Sequence, residues 1–200
     1  MKPFLKSILV FASVLLISSA MAEGTGWNVG ASVGASELRD ESGDCDGTLS
    51  CDTSDVGYKV SAGYSFMPNF AIEMAYVDLG EANFDYGLGD TASFSDTGFA
   101  AYGIGIYPVD DFSLYAKVGF SNLKTKVSVV SATSVPPVSG SISSTNTNFA
   151  WGIGAGYNFT RNISAALEWE RFQAEFSPID TLDLGTRDVD LFSVSAKYHF

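Results

Sequence analysis

The chain has 200 residues, of which 46% are hydrophobic, 14% aromatic and 17% charged. That length allows one domain or one barrel, and that composition excludes a disordered chain. Eleven Lys and Arg stand against 23 Asp and Glu, a net charge of -12, which excludes nucleic-acid binding through a basic face. A single histidine, His199, and two cysteines exclude a multi-imidazole or tetrathiolate metal site, and no cofactor is expected.

Residues 1–22 read as a secretory signal. Lys2 and Lys6 precede the apolar run Ile8–Ile17, which is too short to span a bilayer as a helix. Ala20-Met21-Ala22 is a small-x-small cleavage site, so the domain is expected over residues 23–200. Export implies an oxidising compartment. Cys45 and Cys51 flank a short polar segment that a disulfide would staple.

Period-two alternation then recurs eight times. In chain order the predicted strands cover about 27–35, 58–66, 70–78, 98–107, 112–121, 149–159, 163–171 and 189–200. One face is large and apolar on every strand: Trp27, Val29 and Val33; Tyr58, Val60 and Tyr64; Phe70, Ile72, Met74 and Tyr76. On the fourth strand that face is read as Ala100, Tyr102, Ile104 and Ile106, opposite Ala101, Gly103 and Gly105. The later strands continue it with Leu114 and Val118, Trp151 and Ile153, Leu167 and Trp169, and Phe192 and Val194. The other face is Gly, Ala and Ser with a few charges.

A soluble barrel would turn its large apolar residues inward. An apolar outside with aromatics near the strand ends and a small, polar inside is the transmembrane pattern. The fold class is therefore all-β, an eight-stranded antiparallel up-and-down transmembrane β-barrel. Strands of this length cross a bilayer when tilted, and closure leaves no unpaired edge in lipid. Short links at 67–69, 108–111 and 160–162 alternate with long loops at about 37–55, 79–97, 122–148 and 172–188. That asymmetry places the short turns and both termini in the periplasm.

The alternating strand that ends at Tyr198 and Phe200 resembles the signal read by the outer-membrane assembly machinery. With Asn69–Gly80, Asp111–Gly119 and Trp151–Phe159, the chain resembles the OmpA-like small outer-membrane β-barrel family of Gram-negative bacteria over nearly all of 23–200. The sequence stops at the barrel, so the resemblance is to the barrel-only, OmpX/Ail-like plan without a peptidoglycan-binding domain. It implies an integral outer-membrane protein among outer-membrane lipid and lipopolysaccharide, with the barrel-assembly machinery as its partner in biogenesis.

On the inward face, Lys59, Lys117 and Lys197 meet Glu73, Glu168 and Glu170. Unpaired buried charges are too costly, so these six are expected to form an ion-pair network that plugs the barrel. In the alternative reading, partner exchange within it gates a narrow passive channel. The first long loop is acidic, with Glu37, Asp40, Glu41, Asp44, Asp46, Asp52 and Asp55. It lacks the full ligand spacing of a calcium loop. Alternation in Lys126–Val130 carries the third loop's hairpin beyond the membrane, where it would meet an extracellular or host ligand. A lipid A-modifying enzyme is disfavoured, because His199 sits at the periplasmic rim, away from any outer-leaflet nucleophile. The expectation is a non-enzymatic barrel for envelope integrity and surface display, with loops for adhesion.

Overall fold

The computed structural model describes residues 25–39, 50–133, 138–175 and 186–200. The strands are β1 (Gly26–Leu38), β2 (Ser50–Asp52), β3 (Ser54–Met67), β4 (Phe70–Gly87), β5 (Asp90–Val109), β6 (Phe112–Ser131), β7 (Val138–Asn158), β8 (Ile163–Glu175) and β9 (Thr186–His199). The eight long strands form a closed antiparallel ring, in which β1 lies between β3 and β9 and the β4–β5 pairing completes the circuit. β2 adds a three-residue patch to β4.

The outer surface carries the large apolar side chains, among them Ile72, Met74, Val118 and Leu167, all more than half exposed. Aromatic pairs bound this band at both ends. At the short-turn end lie Trp27–Tyr64, Phe112–Tyr157 and Tyr198–Phe200, with ring centroids 5.1, 4.8 and 5.1 Å apart. Toward the long hairpins lie Tyr76–Phe99 and Trp151–Trp169, at 5.3 and 4.9 Å. Such girdles mark the two interfaces of a membrane barrel.

Two expectations need correction. On β5 the inward face is Ala100, Tyr102 and Ile104, all buried, while Phe99 faces outward. Pairing decides this: Tyr102 sits opposite Glu73 of β4 and Gly119 of β6, both on the inward register. Bulk suggested the opposite face, but in a closed ring each strand inherits its facing from its neighbours.

The long loops at 79–97 and 122–148 are mostly strand. β4 and β5 remain paired up to a two-residue turn at Leu88-Gly89, both at positive φ (58° and 89°), the type I′ geometry that suits hairpin twist. β6 and β7 stay paired to Ser131 and Val138. Apolar alternation reports contact with hydrocarbon, so it fades where strands leave the bilayer although the ladder continues.

Candidate functional site: the barrel interior and the long-hairpin end

Small inward residues leave room for long charged side chains. Lys59 donates to Glu168 and Glu170. Lys117 Nζ reaches Glu73 at 3.1 Å, Glu168 at 3.1 Å and Glu170 at 3.3 Å. Lys197 Nζ reaches Glu73 at 2.9 Å and Glu168 at 3.4 Å, and the Tyr115 hydroxyl donates to Glu168 at 2.7 Å. The six charged residues singled out in the sequence thus lie in one layer. Lys117 and Glu170 are fully shielded, and three cations balance three anions.

A second layer, absent from the sequence reading, lies on the long-hairpin side of the first. Val77, Leu79, Leu123, Phe172, Val189 and Leu191 pack together there, each at most 4% exposed. On the opposite side the interior opens into a pocket of about 90 Å³ bordered by Asn28, Glu73, Asn158, Lys197 and His199. The His199 ring lies 2.9 Å from Ser164 Oγ. A serine is therefore within reach of the histidine after all, but at the short-turn end of the lumen. A larger recess of about 790 Å³ crosses the outer apolar face between Phe70 and Trp169, over Gly105 and Ala116.

The acidic residues of the first long loop divide. Asp40, Glu41, Asp44, Asp46 and Cys45 lie outside the described residues, as do residues 1–24. Glu37, Asp52 and Asp55 belong to β1, β2 and β3 rather than to a loop. Asp55 accepts from the Glu81 amide at 2.8 Å and bears on Gly80, whose φ is +78°. It holds the β4 irregularity rather than offering a free ligand. Among the described residues no group of three His, Cys, Asp or Glu is placed to hold a metal.

Beyond the girdle, β4–β7 continue as a four-stranded sheet. β6 alone adds 121–131, a height of about 28 Å at ~3.3 Å per residue and a ~40° tilt. Its upper part exposes apolar side chains: Leu88, in the β4–β5 turn, is 89% exposed, and Tyr86, Val129 and Ile142 are exposed as well. The Asp90 carboxylate ties the β4–β5 turn to the end of β6. It accepts from Thr133 Oγ1 at 2.6 Å and from the Ala132 amide at 2.8 Å. These bonds, the Thr133 hydroxyl foremost, hold it below the usual carboxylate range.

The sequence matches, over residues 7–200, the family described as the outer membrane protein β-barrel domain. The chain belongs to that family. No curated protein sequence matches it significantly. Similar solved structures include Ail, the attachment invasion locus protein of Yersinia pestis, at 16% identity and a TM-score of 0.55, covering 90% of this chain and 100% of Ail. Neisserial surface protein A (15%, 0.59) and OprG of Pseudomonas aeruginosa (12%, 0.56) each match over 88% of this chain and 97% of their own. At these identities the likeness shows a shared fold. This outer membrane β-barrel thus follows the small eight-stranded, OmpX/Ail-like plan.

Proposed function

We propose that the protein is a non-enzymatic barrel of the bacterial outer membrane that displays a binding sheet to the outside and supports envelope integrity. Its termini and short turns lie in the periplasm, and residues 1–22 are removed on export. The barrel-assembly machinery reads the Tyr198–Phe200 end during insertion. A Cys45–Cys51 disulfide braces the first loop. The observation that carries the reading is the sheet of β4–β7, which projects past the apolar band and ends in exposed Tyr86, Leu88 and Ile142. An exposed apolar patch away from the bilayer is the usual mark of a docking surface. Ail carries attachment in its name, and one Ail crystal holds a heparin analogue, sucrose octasulfate; both support an adhesive role by analogy of fold.

The test trims the sheet. Residues 81–96 and 124–145 are each replaced by an Asn-Gly turn, and the variant is displayed on cells. Heat-modifiable electrophoretic mobility checks that the barrel is folded. Adherence to epithelial cells is expected to fall to background; adherence equal to that of the full chain overturns the reading.

A further inference from the structure

At the short-turn end the lumen holds a second polar cluster, which shares only Lys197 and Glu73 with the ionic layer. The register places Asn28 of β1 opposite His199 of β9, and Lys197 of β9 opposite Ser164 of β8. All four border the pocket of about 90 Å³, with Ser65 and Ser113 beside them. Asn28 is only 7% exposed, yet its carboxamide has no hydrogen-bond partner among the described residues. Gly63 makes room for it: a Cβ there would stand 2.9 Å from Asn28 Oδ1 and 3.0 Å from Nδ2. Buried carboxamides normally find partners, and here the partner has to come from the pocket.

The charges select the occupant. Lys197 is the reachable lysine of the ionic layer, with 14% of its side chain exposed against 2% for Lys59 and 0% for Lys117. It gives two protons to Glu73 and Glu168 and keeps a third. Glu73 also borders the pocket, but Lys117 occupies one of its oxygens and Lys197 the other. The His199 Nε2 atom lies 2.9 Å from Ser164 Oγ. When that nitrogen carries the proton, the serine hydroxyl turns its own hydrogen to the cavity. Donors from three adjacent strands thus converge on a space whose one carboxylate is already neutralised. We propose that this vestibule binds a free tetrahedral oxyanion of the phosphate class. Its oxygens accept on several sides, from Asn28, Ser164, Lys197 and His199; a planar carboxylate would leave part of that ring of donors unused. The volume is far below that of a pocket for a drug-sized ligand, so the anion enters alone and not as the head of an ester. In the orientation proposed above it comes from the periplasm, but the binding does not depend on that orientation.

The test titrates inorganic phosphate into the refolded full-length domain in nonionic micelles at constant ionic strength. NMR follows the side-chain amide of Asn28 and the backbone amides of Ser164 and Lys197. Saturable shifts of all three are expected in the wild type. Asn28→Asp, which sets a carboxylate against the anion, is expected to abolish them. Ser164→Ala is expected to weaken binding about tenfold, and Arg161→Gln, on the exposed short turn, to leave it unchanged. Heat-modifiable mobility checks that each variant is folded; if Asn28→Asp does not fold, Ser164→Ala decides the question. Absence of saturable shifts overturns the proposal, as do equal shifts with chloride or undiminished binding by Ser164→Ala. Loss of binding in Arg161→Gln places the anion on the rim and overturns it too. Binding of glycerol phosphate as tight as that of inorganic phosphate overturns the free anion as occupant.

Discussion

At the residue scale, each carboxylate of the inner layer is held by at least two lysines, and Glu168 by all three, so no member is removable without leaving charge uncompensated. Lys117→Met would strand Glu73, Glu168 and Glu170 with Lys59 and Lys197 alone. Breaking a buried pair costs about 3–5 kcal/mol, and the urea midpoint of the refolded domain is expected to drop accordingly. The Asp90 contacts predict a local pH response. A carboxylate with a lowered folded value supports its turn when ionised, so the support is fully present above the ordinary Asp range. It is lost as pH falls through the lowered value. The protection factors of the Ala132 and Thr133 amides, which donate to Asp90, are expected to fall only under acid, once Asp90 is protonated; protection unchanged into strong acid would contradict the assignment. The inward facing of the six charged residues was legible because each falls out of phase with the large apolar residues of its strand, as Lys59 does between Tyr58 and Val60 and Glu73 between Ile72 and Met74. The apolar layer was not, since Val77, Leu79 and Leu191 are the residue types that also face lipid.

At the element scale, close strand contact depends on particular glycines. A Cβ at Gly119 would stand 1.8 Å from the Ala101 carbonyl of β5. Gly119→Val is therefore expected to part the β5–β6 ladder and abolish the heat-modifiable band of the folded barrel, whereas Gly105→Ala, with open space around it, leaves that band intact. Eight strands were readable from the sequence because the bilayer imposes a two-sided code on each. The upper halves of β4–β7 were not, because past the bilayer the outward face meets water and no longer needs large apolar residues, which removes the code. Ser93, Ser95, Ser141 and Ser143 read as loop while pairing as strand. The face of β5 was misread for a related reason: its outward glycines carry no signal, so Tyr102 and Ile104 supplied a misleading one.

At the scale of the whole molecule, the interior is closed twice, by charge and by an apolar layer. Breaking the ionic layer alone would leave Phe172 and Leu191 in place. Glu73→Ala is therefore expected to show no discrete openings in planar bilayers, as is the wild type. Openings in that variant would show that the ionic layer is the sole closure and would favour the passive-channel reading over display.

The seam of the ring lies between the first and last strands, where the Phe200 amide donates to the Trp27 carbonyl at 3.0 Å. The two ends of the described chain therefore meet, and connectivity is separable from shape. A short linker from Phe200 back to Thr25, with new ends opened at Asp110-Asp111, would describe the same cylinder in a different chain order. Such a permuted molecule would keep every wall contact while moving the Tyr198–Phe200 segment into the middle of the chain. It would show whether insertion into the membrane depends on the finished wall or on an aromatic strand arriving last.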